Sequence, residues 1–180
     1  IGSEPSYPFA LDLADGVGLV AIDASIPRPL TSRGLATPAQ IREIGDRLRA
    51  QRARTPFVVV VGHYPVCYPM RFRAAWQHRL TGREALLAAL EDAGAGLYLH
   101  GHCHERWLTG LPVAGAGGGL ICANAGSAGL KSRHPSKAAG FLELTIEPPR
   151  VVSVKATWLS ERRGNLDFER ETIEAEPARR

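Results

Sequence analysis

Three histidines fall within five positions in the stretch Leu99-His100-Gly101-His102-Cys103-His104. A neutral imidazole is a common ligand for zinc, manganese, iron and nickel, so a cluster of this kind points first to metal chemistry. His102 and His104 lie two apart. In an extended loop their rings diverge and could serve two neighbouring ions; in a tighter bend both could grip one, as His-x-His pairs do in zinc sites. Gly101 is expected to let the backbone turn where a side chain would obstruct it. A second piece of the same character, Val61-Gly62-His63-Tyr64-Pro65, again sets a glycine and a histidine after an apolar run. A lone loop histidine is more often a carbonyl cap or a solvent-exposed ring. Two glycine–histidine units behind two successive apolar runs favour metal instead, and His63, His102 and His104 are the candidate ligands.

The remaining candidates carry weaker signals. His100 is either a group that orients a ligand from behind or the last strand residue facing the core, and the second reading is preferred. His78 and His134 have no partner pattern and are expected at the surface. Cys103, at the x position of His-x-His, is expected to point away as a small filler rather than bind metal as thiolate. The 115–119 stretch resembles a phosphate loop in glycine content alone. It lacks the Lys-Ser/Thr ending and is expected to be a hairpin connection. Asn124 and Ser127 fit a pocket rim or a turn equally well. Residues 64–80, with Arg71, Arg73 and Trp76, form a long irregular segment: either a lid over substrate or a plain surface loop.

These residues need elements to hold them. Phe9, Leu11 and Leu13 alternate, Asp15-Gly16 signals a turn, and Val17 to Asp23 returns as an apolar strand, together a hairpin. Pro27, Pro29 and Gly34 mark a loop. Thr37-Pro38-Ala39-Gln40 has the form of a capping box with proline at the first helical position, and Ile41, Ile44 and Leu48 continue at helical spacing to about Ala53. Phe57 to Val61 is the continuous β-branched run of a strand buried on both faces. Thr81-Gly82-Arg83-Glu84 reads as a second capping box opening a helix through Leu86, Leu87 and Leu90. Leu97 to Leu99, Arg106 to Leu108, Leu111 to Val113 and Leu120 to Ala123 read as short strands. Phe141–Ile146 and Val151–Trp158 read as a hairpin across Pro148-Pro149. Residues 1–160 form the expected domain, and 161–180 a polar, exposed tail. The order strand–helix–strand–helix–strand followed by antiparallel strands predicts an α/β (α+β) mixed sheet with helices on one face. Ligands of open α/β sheets sit beyond the carboxyl ends of strands, which is where both histidine loops fall.

Composition narrows the class. The chain has 180 residues, 44% hydrophobic and 22% charged, with a net charge of +4. That suffices for one domain with a core. No Lys/Arg block argues for nucleic acid, and no apolar run approaches the roughly 18 residues of a membrane span. Three cysteines without C-x-x-C spacing fit a reduced, cytoplasmic compartment better than a disulfide scaffold. The absence of an initiator methionine is the mark expected of a fragment or processed chain.

Together these pieces resemble the calcineurin-like metallophosphoesterase family over roughly residues 7–158. Gly62-His63-Tyr64-Pro65 resembles its GHxP-type motif, Gly101-His102-Cys103-His104 its GHxH motif, Ile22-Asp23-Ala24-Ser25 its "LDS" strand end, and Asn124-Ala125-Gly126-Ser127 its "N-x-G-S" strand; Gln40 lies in the helix expected before GHxP. The resemblance implies two β-sheets sandwiched between helices, with this chain as the C-terminal part. It also implies two divalent metal ions of the Mn, Fe, Zn or Ni class, His63 and His102 on one and His104 on the other, holding a hydroxide that attacks a phosphodiester or phosphomonoester. The family's first-half motifs, which supply a bridging aspartate, an asparagine ligand and a leaving-group histidine, do not occur here. The resemblance therefore implies a half-site, completed by an N-terminal segment in cis or by a second chain. A non-catalytic scaffold that binds protein partners, and a mononuclear zinc module, are the rival readings.

Overall fold

The computed structural model describes residues 6–26, 30–111, 119–130, 132–162 and 165–179. In chain order it contains β1 (Phe9–Asp12), β2 (Val17–Ala21), β3 (Gly34–Leu35), α1 (Pro38–Arg52), β4 (Phe57–Val61), β5 (Tyr68–Pro69), β6 (Leu80–Thr81) and α2 (Arg83–Asp92). There follow β7 (Leu97–His100), β8 (Arg106–Leu111), β9 (Leu120–Ala125), β10 (Gly140–Glu147), β11 (Arg150–Arg162), β12 (Asn165–Thr172) and β13 (Glu176–Arg179). A large sheet runs β1-β2-β4-β7-β9-β8-β13-β5, a second runs β10-β11-β12, and β3 pairs β6.

The centre of the large sheet is parallel: β2 beside β4, β4 beside β7, β7 beside β9. Parallel strands bury both faces, and the sequence of β4 shows how. Val58 and Val60 pack with Ile44 and Leu48 of α1 and Leu86 and Leu90 of α2 on one side. Phe57 and Val59 pack on the other side with Leu97, Leu108 and Val154, where Leu142, Leu144 and Ile146 of the second sheet close the layer. The chain is therefore helices, large sheet, small sheet, an α/β architecture. The expected helices on one face are found; among the described residues none covers the outer face of the second sheet, where Phe141 and Phe168 stay exposed.

Local chemistry sets the element ends. Thr37 and Gln40 form the expected capping box, each side chain accepting the other's backbone N–H, with Pro38 opening α1. The turn between β1 and β2 puts Asp15 and Gly16 at positive φ, 57° and 77°. The hairpin of β10 and β11 is also present, and β11 continues to Arg162.

Three expectations need correction. The second capping box does not form: α2 starts from Gly82 in the left-handed region, with no side-chain cap. Thr81 is committed elsewhere, paired in β6 with Leu35 and accepting at Oγ1 from Arg33 Nη2 at 3.1 Å. Second, the expected polar tail is strand: β12 pairs along β11, while β13 pairs with β8 and β5. Its residues are mostly polar and exposed as expected, yet backbone pairing holds β12 at the sheet edge, and Ile173 and Ala178 pack against the core. Third, Leu111 belongs to the strand begun by Arg106, not to a separate one. Residues 112 and 113 of that expected strand, 115–118 of the glycine-rich connection, and Pro27 and Pro29 lie outside the described residues.

Gly82 has φ +81°, and a Cβ there would run into the Ala36 carbonyl oxygen. Gly82→Ala is therefore expected to lower stability by about 1–3 kcal/mol, read as a fall in the urea midpoint at unchanged m-value. An unchanged midpoint would show that the turn relaxes freely.

Candidate functional site

β4 and β7 are adjacent, parallel and in register, Val61 opposite Leu99. Their carboxyl ends therefore release the chain side by side. Two backbone bonds continue the pairing past the strands: Gly62 N–H donates to the Leu99 carbonyl at 3.0 Å, and Gly101 N–H to the His63 carbonyl at 3.1 Å. The two histidine loops are thus laced together. His63 Nε2 lies 3.0 Å from His102 Nδ1, with ring centroids 4.9 Å apart. Tyr64 packs edge-on against His63 and at 4.6 Å from His102. The Tyr64 segment is in turn pinned from below, since Tyr98 hydroxyl donates to its carbonyl at 2.7 Å.

Turning falls on the histidines rather than on Gly101. His102 and His104 both adopt positive φ, 67° and 51°, while a Cβ at Gly101 would meet nothing within 4 Å. Non-glycine residues are uncommon in that region, and such conformations gather at functional sites.

Burial, and then the neighbouring His104, push His63 below the usual imidazole range, with Asp23 pulling the other way. His102 is lowered by burial first and by His63 second. Both effects favour the neutral ring, which is the form that donates a lone pair to a metal. Asp23 contributes a carboxylate close enough to act on both His63 and Tyr64. Its signal in the sequence was its place at the end of β2, which the parallel pairing with β4 converts into proximity to His63.

The donor set can be tested against a metal. The two nitrogens stand at hydrogen-bond distance, 3.0 Å, and two nitrogens about 2.1 Å from one tetrahedral ion stand about 3.4 Å apart, so a small opening of the pair would admit a shared ion. His102 Nε2 is buried without a partner, so the ring keeps a free nitrogen besides the one facing His63. Among the described residues, however, no three His, Cys, Asp or Glu side chains are grouped to hold a single ion. The residues present fit two ligands of one ion, and His104 stands on the next turn.

The other candidates resolve as follows. His100 is buried between Tyr98 and Trp107, at ring distances of 5.5 and 5.7 Å, as the core reading expected. Cys103 packs with Tyr68, Ala74 and Trp107, and burial raises its thiol to about 12, which keeps it protonated. Asn124 is fully buried and accepts from Gly126 N–H at 3.0 Å, with Gly126 at positive φ: a turn. His134 is exposed and meets Ser136 Oγ at 2.9 Å. His78 is exposed as expected, and it also stands 5.8 Å from His102, its Nδ1 hydrogen-bonded to Ser32 Oγ. That link spans 46 residues; no local pattern announces it. A cleft of about 520 Å³ opens here, lined by Ser32, Phe72, Arg73, His78, His102 and His104 among others. The irregular 64–80 segment supplies one wall of it through Phe72 to Ala75 and His78.

No family model matches this chain, and no curated protein matches it. Solved structures do. The purple acid phosphatase PPD1 from yellow lupin (Lupinus luteus) seeds is 13% identical and aligns with 98% of this chain and 34% of its own, at a TM-score of 0.53. GAP50, the anchor in the inner membrane complex of Plasmodium, is 12% identical over 93% of this chain and 54% of its own, at 0.44. A Vps29 double mutant from Entamoeba histolytica is 16% identical over 86% and 82%, at 0.33. The chain thus spans about half the length of GAP50 and a third of the phosphatase. Its fold is metallophosphoesterase-like, on the likeness to the phosphatase. No helix among the described residues is long and apolar enough to cross a membrane.

Two outcomes are expected. His63→Ala and His102→Ala should each weaken Zn²⁺ binding by at least about tenfold in calorimetric titration, and the double variant should lose little more, since the pair acts as a unit; additive or negligible losses would separate the two rings. His100 is lowered by burial to about 3, against about 6.5 when unfolded. The unfolded chain therefore takes up this proton first, and the contribution of His100 to stability, fully present above about pH 6.5, is lost as pH falls toward about 3. His100→Gln should lose less stability between pH 7 and 4.5 than the unaltered protein in urea melts; equal losses would contradict the buried neutral ring.

Proposed function

We propose that this chain is the histidine-bearing part of a metal-dependent phosphoesterase, acting on a phosphodiester or phosphomonoester. The observation that carries the reading is the 3.0 Å approach of His63 Nε2 to His102 Nδ1 past the carboxyl ends of adjacent parallel strands, with His102 also lining a cleft. The fold likeness to a purple acid phosphatase supports it.

In this reading His63 and His102 hold one divalent ion and His104 a second, of the manganese, iron, zinc or nickel class. Bound there, such ions supply Lewis acidity at the phosphoryl oxygens and acidify a water for attack on phosphorus. The chain's own residues hold the site ready. Burial keeps His63 and His102 neutral, and Tyr64, raised above its usual range by burial, stays a phenol packed against both rings. The laced backbone fixes the separation of the two loops. Three neutral imidazoles do not balance two divalent ions, so the carboxylate partners come from an N-terminal segment in cis or from a second chain, with Asp23 of this one close enough to act on His63.

The test is hydrolysis of p-nitrophenyl phosphate and bis-p-nitrophenyl phosphate with and without Mn²⁺ or Zn²⁺. Metal-dependent turnover is expected, falling about a hundredfold or more in His102→Ala. Turnover indifferent to metal or to His102 would overturn the reading, and absence of turnover with metal still bound would favour a protein-binding scaffold on the same fold.

A further inference from the structure

Arg73 is the one arginine among the described residues that lines the histidine cleft; Arg33, Arg71 and Arg79, next in sequence to lining residues, are committed elsewhere, as is Arg83. Arg71 pairs with Glu105 at 2.6 Å and with Glu176 at 3.1 Å. Arg79 donates from Nε and Nη2 to the Ala74 carbonyl at 3.1 and 3.0 Å. Arg83 donates to the Val66 carbonyl at 2.8 Å. Arg33 gives Nη2 to Thr81 Oγ1 and lays its guanidinium 5.6 Å from the Trp76 ring centre. Arg73 lines the cleft, is exposed, and has no hydrogen-bond or ion-pair partner among the described residues.

Its freedom is not that of a loose loop, because both neighbours are fixed. Phe72 stacks on Tyr68 at 5.7 Å and meets Trp107 at 4.7 Å, and its N–H donates to the Pro69 carbonyl at 2.9 Å. Ala74 is buried, with its carbonyl clamped by Arg79. The network of Arg71, Glu105 and Glu176 ties the residue before them to β13 and to the residue after His104. Arg73 thus lines the cleft from a backbone fixed on both sides, with its guanidinium donors unspent among the described residues. The polar groups lining the cleft are Ser32, Arg73 and three histidines, with cysteine the remaining titratable group; no carboxylate lines it among the described residues. The lining is complementary to an anion.

We propose that Arg73 is the substrate-orienting cation of this cleft, and that it makes the site prefer a dianionic phosphomonoester to a monoanionic diester. This rests on the phosphoesterase reading above. The planar fork of the guanidinium pairs two phosphoryl oxygens at once, and a cation at a given distance attracts a doubly charged group about twice as strongly as a singly charged one. The alternative ligand with the same chemistry is free inorganic phosphate.

The experiment compares the unaltered protein with Arg73→Ala and Arg73→Lys, measuring KM and kcat for p-nitrophenyl phosphate and bis-p-nitrophenyl phosphate, and inorganic phosphate binding by calorimetry. Arg73→Ala is expected to raise KM for the monoester about tenfold, to weaken phosphate binding to a similar degree, and to shift diester KM by far less, with Zn²⁺ affinity unchanged. Arg73→Lys should fall between, keeping charge and losing the fork. An unchanged monoester-to-diester ratio together with unchanged phosphate affinity would overturn the proposal. If neither ester is hydrolysed by the unaltered protein, the phosphoesterase reading fails by itself. The phosphate titration then decides the anion site: loss of binding in Arg73→Ala supports it, and equal or absent binding in both removes it.

Discussion

The parallel pairing of β4 with β7 is the constraint on which the rest of the site depends. Parallel neighbours end at the same edge of a sheet, so two segments far apart in sequence deliver their following loops to one place. Continuation of the ladder by Gly62 and Gly101 then fixes the register of the loops, and with it the separation of His63 and His102. Without that register, the two glycine–histidine units would be separate surface features.

Packing beneath the site carries the same constraint downward. β4 is covered on one side by α1 and α2 and on the other by the second sheet, so it cannot slide without exposing valines on both faces. Tyr98 sits in this core and reaches up to hold the Tyr64 carbonyl, while Gly62 leaves the space that the Tyr98 hydroxyl occupies. The core therefore positions the histidines directly. The positive φ of His102 and His104 is tolerated because the surrounding contacts over-determine the turn.

What was legible in the sequence is what depends on local pattern. The apolar run of β4, the capping box of Thr37 and Gln40, the turn at Asp15-Gly16 and the β10–β11 hairpin all arise from neighbours in the chain. The convergence of His63 with His102 was legible too, because strand carboxyl ends are where such loops meet. The parts that escaped are settled by distant partners. His78 enters the cleft through Ser32. The strands β12 and β13 read as tail because their residues are mostly polar and exposed, and their pairing partners lie elsewhere in the chain: β11 for β12, β8 and β5 for β13. Thr81 matched a capping pattern whose residue was already engaged in β6.

The central claim is that the ladder between β4 and β7 places two imidazole nitrogens to bind one metal ion. X-ray absorption at the zinc edge of the Zn²⁺-loaded protein addresses it without reference to substrate or turnover. The account predicts at least two nitrogen scatterers at about 2.0–2.1 Å with the outer-shell pattern of imidazole. A shell of oxygen alone, with no imidazole signature, would contradict it.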